Sequence, residues 1–294
     1  MMNVDALKEP YAAKHDYLIC IDSDGCAFDT MEIKHKECFC PATIDNWGLQ
    51  AISRYAREAW EYVNLYSKSR GCSRFHAVVK VLDLLAERPE VGERGFRMPE
   101  YEPLRRWVET APILNNDAVS RLTDDPVMAR TLAWSLDMNR RVAKMVHDIP
   151  PFPFVRESLM KLNDVADIVI VSATPREALL HEWREHGLDR YVTMLGAQED
   201  GSKKEIIAYA KGAYAPEKSI MLGDAPGDLD AATRNGILFY PVRPNDELRS
   251  WKEFYADGIG EFLGGTYAGK SMARQIVRFE RCLPDTPPWK TANE

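Results

Sequence analysis

Tyr17-Leu18-Ile19-Cys20-Ile21-Asp22-Ser23-Asp24-Gly25 is a short apolar run that stops abruptly in two carboxylates and a glycine. The run, with β-branched Ile19 and Ile21 and a turn signal close behind, predicts a buried strand. In an open α/β sheet such a strand delivers its last residues to the carboxyl edge, where ligands bind. Two acidic side chains there repel each other unless something cationic lies between them. A metal ion with a preference for oxygen ligands meets that need. The pair is not specific alone, because Asp also favours turns and helix caps, so the rest of the chain has to decide.

The chain has 294 residues, enough for two cores. Hydrophobic residues make up 45% and charged residues 28%, which is ordinary globular usage. A net charge of -7 argues against non-specific nucleic-acid binding. No apolar run approaches the ~20 residues that span a bilayer, so no membrane partner is expected. Met1 to Tyr11 carries acidic residues and no apolar centre, and no secretory signal is expected there. Cys20, Cys26, Cys38, Cys40, Cys72 and Cys282 form no C-x-x-C pair and are expected to be reduced thiols of a cytoplasmic protein.

Outward from the opening strand the pattern changes twice. Trp47, Ala51, Tyr55, Ala59, Val63 and Tyr66 recur at helical spacing, and Gly71 breaks the stripe. Ser73 is placed to cap a helix carrying Phe75, Val78, Val79, Leu82 and Leu85. Asp125-Pro126 opens a further helix with Met128, Leu132, Leu136 and Val146. Residues 29–149 therefore read as a mostly helical module. Ile149-Pro150-Pro151-Phe152-Pro153-Phe154 closes it, since proline stops a helix from running through. Its counterpart crossing is expected near Phe28–Met31.

Beyond it, helix and strand alternate. Strands are expected at Ile168–Val171, Tyr191–Leu195, Ser219–Leu222 and Ile237–Tyr240, with helices at Arg156–Leu162, from Ser172 to about His186, at Lys204–Tyr209 and around Ala231–Ala232. That alternation predicts a parallel sheet with helices on both faces. Residues 1–28 and 150–294 are expected to form this α/β core, with a helical C-terminal extension from about residue 243.

Chemistry-bearing residues fall where this scheme puts strand ends and one helix start: Asp22 with Asp24, then Ser172, then Lys203, then Gly223-Asp224 and Asp228. One carboxylate can attack phosphorus and become an aspartyl-phosphate. A second can protonate the leaving oxygen and later activate water. A hydroxyl at a helix N-terminus and a fixed ammonium can hold the phosphoryl oxygens. Further carboxylates can complete a magnesium site.

In the order of these motifs the chain resembles the haloacid dehalogenase-like (HAD) hydrolase superfamily. The likeness covers Asp16–Thr30 and roughly Ile168–Asp230. It implies a Rossmann-like core with an inserted helical cap that closes over the site and sets substrate choice. Asp22-Ser23-Asp24-Gly25 matches D-x-D-G, which implies Asp22 as nucleophile and metal ligand. It implies Asp24 as general acid/base, with its backbone carbonyl on the metal. Ser172 matches the second motif. Lys203 matches the third, with Lys204 as its neighbouring rival. Asp224 and Asp228 match G-D-x-x-x-D, implying Asp224 as a magnesium ligand and Asp228 as a support at the metal site. Cys26 departs from the family's usual Thr and removes a hydroxyl from the loop. The second carboxylate favours phosphatases and phosphomutases over dehalogenases. The function implied is a Mg2+-dependent phosphatase of a small phosphorylated metabolite. A phosphomutase using the same intermediate, or a non-catalytic phospholigand-binding protein, is the alternative.

Other signals carry less. Gly264-Gly265-Thr266-Tyr267-Ala268-Gly269-Lys270-Ser271 fits a P-loop by letter, but Gly258 to Leu263 is a poor strand and little chain follows. His181-Glu182-Trp183-Arg184-Glu185-His186 has one residue too many for a zincin motif, and its histidines are expected on a helix surface. The cationic turn Ser67–Arg74 reads as a solvated connection between helices.

Overall fold

Five short, largely buried strands form the sheet: β1 Tyr17–Ile21, β2 Ala166–Val171, β3 Met194–Gly196, β4 Ser219–Gly223 and β5 Leu238–Pro241. In the computed structural model, which describes residues 10–291, they pair in the order β3-β2-β1-β4-β5, every pair parallel. Near-continuous apolar runs suit a sheet covered on both faces. Helices Val155–Leu162, Arg176–Glu185, Lys203–Lys211 and Pro226–Asn235 lie between successive strands in the chain. Right-handed crossovers in this strand order put helices on opposite faces and reverse direction beside β1. The fold is thus α/β and doubly wound. Its core gathers Ile19, Ile21, Ile168, Ile170, Ile220 and Leu222 from the sheet with Val155, Leu159, Leu179 and Trp183 from the helices.

The chain divides into two compact units, one built from the chain up to Thr30 and from Asp148 to Cys282, the other from Met31 to His147 and from Leu283 onward. The second unit is helical. Its main helices are Cys40–Trp47, Ser53–Asn64, Arg74–Ala86, Glu102–Thr110 and Pro126–Met145. Trp60, Phe75, Leu82, Trp134 and Met138 are buried together in its core. Ser73 caps its helix by accepting from the His76 amide, and Asp125 accepts from the Val127 and Met128 amides at 2.7 and 3.2 Å. Among the described residues no helix is long and apolar enough to cross a membrane.

Three local readings change and a fourth holds. The stripe from Trp47 to Tyr66 is two helices, because Gly48 takes a left-handed φ of 67° and ends the first. The third strand begins at Met194 because Asp189–Tyr191 is a tight helical turn. The turn at Ser67–Arg74 is only partly solvated: Arg70 is buried and donates to the Leu65 carbonyl at 3.0 Å. The P-loop-like letters sit between helices Ile259–Leu263 and Lys270–Arg281, with no strand before them.

The boundary expected at the C-terminus also moves. The α/β core was expected to run to residue 294, yet the chain from Leu283 groups with the helical unit. Side-chain chemistry explains this. Tyr62 donates to the Asp285 carbonyl at 2.6 Å, and the Trp289 ring lies edge-on to Tyr62. The buried Arg88 guanidinium lies over the rings of Tyr55 and Trp289, at 4.5 and 4.6 Å from their centroids. A desolvated cation over an aromatic face contributes on the order of 2 kcal/mol.

Within the α/β unit, the extension after β5 is tied down by Arg243. Its guanidinium, only 2% exposed, pairs with Asp246 and Glu253. Glu253 also receives Arg249 and Arg278. Burial works against the Glu253 charge, but the Arg278 hydrogen bond and the Arg243 and Arg278 charges outweigh it and bring its pKa from 4.5 to about 2. The carboxylate therefore adds stability above about pH 4.5 and loses it as pH falls through about 2, an effect of up to ~3 kcal/mol. Urea melts of Glu253→Gln and the parent should differ by that order at pH 6 and converge toward pH 2.

Candidate active site

At the carboxyl edge of the sheet, β1 ends in Asp22, whose amide donates to the Leu222 carbonyl of β4 at 3.0 Å. This fixes Asp22 at the point where the strand order reverses. One of its carboxylate oxygens, Oδ1, accepts the Ser23 amide at 2.8 Å. The other accepts the Lys203 ammonium at 2.5 Å. Lys203 opens the helix after β3, where Ser202 and Glu205 cap each other reciprocally. The same ammonium reaches Asp228 Oδ1 at 2.6 Å. Of the two neighbouring lysines, Lys203 therefore enters the cluster, and Lys204 is exposed.

Asp228 lies in the first turn of the helix after β4 and is fully buried. Its Oδ2 accepts the amides of Asp224 and Ala225 at 3.1 and 3.0 Å, which holds the turn that presents Asp224. Gly223 makes this packing feasible. A Cβ there would stand 2.3 Å from Asp228 Cβ, so any larger residue would expel the carboxylate.

Carboxylate oxygens of Asp22, Asp224 and Asp228 lie within 4.8 Å of one another, and all three residues are buried. Lys203 supplies one positive charge against three carboxylates. Burial, together with the charges of Asp228 and Asp224 and in spite of Lys203, pushes the Asp22 carboxyl well above the usual range. Burial also works against the Lys203 charge, but Asp22 and Asp228 outweigh it and hold the ammonium above its ordinary pKa. A hard, oxygen-only donor set carrying excess negative charge fits a divalent cation.

The Asp24 carboxylate stands apart from that cluster. Thr30 Oγ1 donates to its Oδ1, and Thr174 Oγ1 donates to its Oδ2 at 2.8 Å. The two threonines are the site residues that the motif spacing does not reveal. Thr174 did have a signal, since it lies two residues beyond Ser172 in the same strand-to-helix turn. Ser172 is buried at the end of β2, beside β1, its amide donating to Gly196 and its Oγ accepting the Thr174 amide. No hydrogen bond joins it to the acidic cluster.

Cys26 is wholly buried, and burial pushes its thiol well above the usual range, followed by the charges of Asp224, Asp22 and Asp228. Its backbone carbonyl accepts the Trp251 indole N–H at 2.7 Å. Hydroxyls reach this loop from Thr30 and Thr174 instead.

The zincin-like stretch adds to the site through residues other than its histidines. His181 is exposed and His186 half-buried, but Glu182 and Trp183 of the same helix both reach Ser23.

No protein-family model matches the chain, and no curated protein does. Solved structures do match. A HAD-superfamily hydrolase of subfamily IA, variant 1, from Geobacter sulfurreducens is 14% identical over 78% of this chain and 88% of its own, with a TM-score of 0.41. A haloacid dehalogenase-like hydrolase from Streptococcus pneumoniae is 15% identical over 81% of this chain and 91% of its own, with a TM-score of 0.44. CbbY from Rhodobacter sphaeroides, solved with phosphate, is 14% identical over 78% of this chain and 86% of its own, with a TM-score of 0.45.

Proposed function

We propose that this chain is a magnesium-dependent phosphatase of the haloacid dehalogenase-like kind, acting on a small phosphorylated metabolite. One observation carries the reading. Asp22, Lys203, Asp224 and Asp228 come from separate parts of the chain and converge at the carboxyl edge of one parallel sheet. The bland alternative is a structural ion-pair network. It does not account for three clustered buried carboxylates, only two of which bond the one ammonium, where the strand order reverses.

In this reading Asp22 attacks phosphorus through a carboxylate oxygen, and the bond to the leaving oxygen breaks. Asp24, in its protonated form, gives that oxygen its proton. Asp24 then takes a proton from water, the water oxygen attacks phosphorus, and the bond to Asp22 breaks. Thr30 and Thr174 give the Asp24 carboxyl partners that Asp22 does not share, so the two carboxyls can hold different protonation states. Lys203 and Ser172 hold the phosphoryl oxygens. Asp22, Asp224 and the Asp24 carbonyl would hold the magnesium ion, with Asp228 bracing them. The ion would offset negative charge on the phosphoryl group. Substrate choice we assign to the helical unit, inserted in the chain directly after the first motif.

The test is a panel of phosphorylated sugars, acids and nucleosides with phosphate release measured with and without Mg2+. Release that needs the ion supports the reading. Isomer interconversion with little release would replace it with a mutase, and binding without turnover would reject catalysis.

A further inference from the structure

Ser23 lies between the two carboxylates assigned to nucleophile and acid, and nothing in the proposed chemistry uses its side chain. It is wholly buried. Its hydroxyl donates to Glu182 Oε2 at 2.7 Å and accepts the Trp183 indole N–H at 2.9 Å. Its carbonyl accepts the amides of Cys26, Ala27 and Phe28 at 3.3, 2.9 and 3.0 Å. Trp183 is itself buried and packs edge-on against Phe28, with ring centroids 5.4 Å apart. Phe28 in turn bridges to Asp24.

Glu182 and Trp183 lie on the helix Arg176–Glu185, which begins just after Ser172 and Thr174. Thr174 holds Asp24 from the start of that segment, at 2.8 Å. One continuous piece of chain therefore grips the first loop twice, once at Asp24 and once at Ser23. A buried loop position needs no polar side chain. A hydroxyl there that both donates and accepts, with a carboxylate as acceptor, is more than packing requires.

We propose that Glu182 and Trp183 act through Ser23 as positioning residues, fixing the loop so that Asp22 and Asp24 face the reacting phosphorus at a set spacing. The assignment rests on the phosphatase reading for its catalytic half. Its mechanical half, that the hydroxyl holds the loop, stands on geometry alone. A misplacement of about 1 Å at a reacting group costs on the order of a hundredfold in rate, whereas substrate affinity is untouched by a residue that does not contact substrate.

The experiment compares the full chain with Ser23→Ala, Glu182→Gln and Glu182→Leu, each first shown to be folded by near-UV circular dichroism. With a phosphate ester that the wild type hydrolyses, Ser23→Ala and Glu182→Leu should lower kcat about ten- to a hundredfold at unchanged KM. Glu182→Gln keeps an acceptor for the hydroxyl and should stay within about threefold of wild type. In parallel, hydrogen exchange over residues 22–28 should accelerate at least tenfold in Ser23→Ala and not in Glu182→Gln. Wild-type kcat in folded Ser23→Ala, or equal losses in both Glu182 variants, overturns the catalytic half. Unchanged exchange overturns the whole assignment, and it does so even if the wild type hydrolyses no ester and the phosphatase reading itself has failed.

Discussion

Asp22→Asn abolishes turnover of any phosphate ester that the wild type hydrolyses, lowering kcat by at least ~10⁴-fold. Loss of a covalent nucleophile removes the whole reaction path rather than one contact, so the effect is far larger than that of a lost hydrogen bond. Asn keeps the shape of Asp, and its one amide oxygen can still accept from either the Ser23 amide or Lys203, though not from both. The protein should therefore remain folded. The substitution even removes an unfavourable charge. Burial and the neighbouring Asp228 and Asp224 raise the Asp22 carboxyl well above its usual range. A carboxyl whose folded pKa is raised costs stability once pH climbs past its ordinary value near 4. Without magnesium, Asp22→Asn should accordingly melt at or above the wild-type temperature at neutral pH. Activity assays and calorimetry on one preparation separate the two effects. Turnover within tenfold of wild type would remove Asp22 from the chemistry.

Lys203→Met should move both quantities downward. It strands Asp22 and Asp228, which accept its ammonium at 2.5 and 2.6 Å, in a buried setting. Removing one partner of a buried charge cluster costs about 3 to 5 kcal/mol, and losing a fixed cation on the phosphoryl oxygens costs roughly 10² to 10³ in kcat. Urea unfolding without magnesium and turnover with it give the two readings. Lys204→Met is the control. Its side chain is exposed, so its stability should stay within about 0.5 kcal/mol of wild type. Equal behaviour of the two variants would mean that the ammonium of Lys203 does not serve the cluster. The opposite signs expected for Asp22→Asn and Lys203→Met without metal are a stricter test than either loss alone.

How far these features were legible in the chain depends on the range of the interaction. Tyr17–Ile21 and Ile168–Val171 announce themselves because a strand buried on both faces must be apolar nearly throughout. Ser73 and Asp125 are read as caps because capping is a contact within a few residues. Gly48 was missed since helical spacing continues across it, while its left-handed backbone does not. Lys203 and Lys204 differ only in which way the first helical turn points them, and that depends on Ser202 and Glu205 setting the start. Glu182 gave no usable signal, and Thr174 only its place two residues beyond Ser172, because each acts on a residue brought near by the fold. Thr174 and Asp24 are 150 residues apart in sequence, and Glu182 and Ser23 are 159 apart.

The docking of Trp289 and Asp285 on Tyr55, Tyr62 and Arg88 bears on how the gene could be cut. A fragment encoding only residues 31–147 would leave Arg88 with one aromatic neighbour removed and Tyr62 without its carbonyl acceptor. The helical unit is discontinuous, and its recombinant unit is the inserted segment joined to the final stretch of chain.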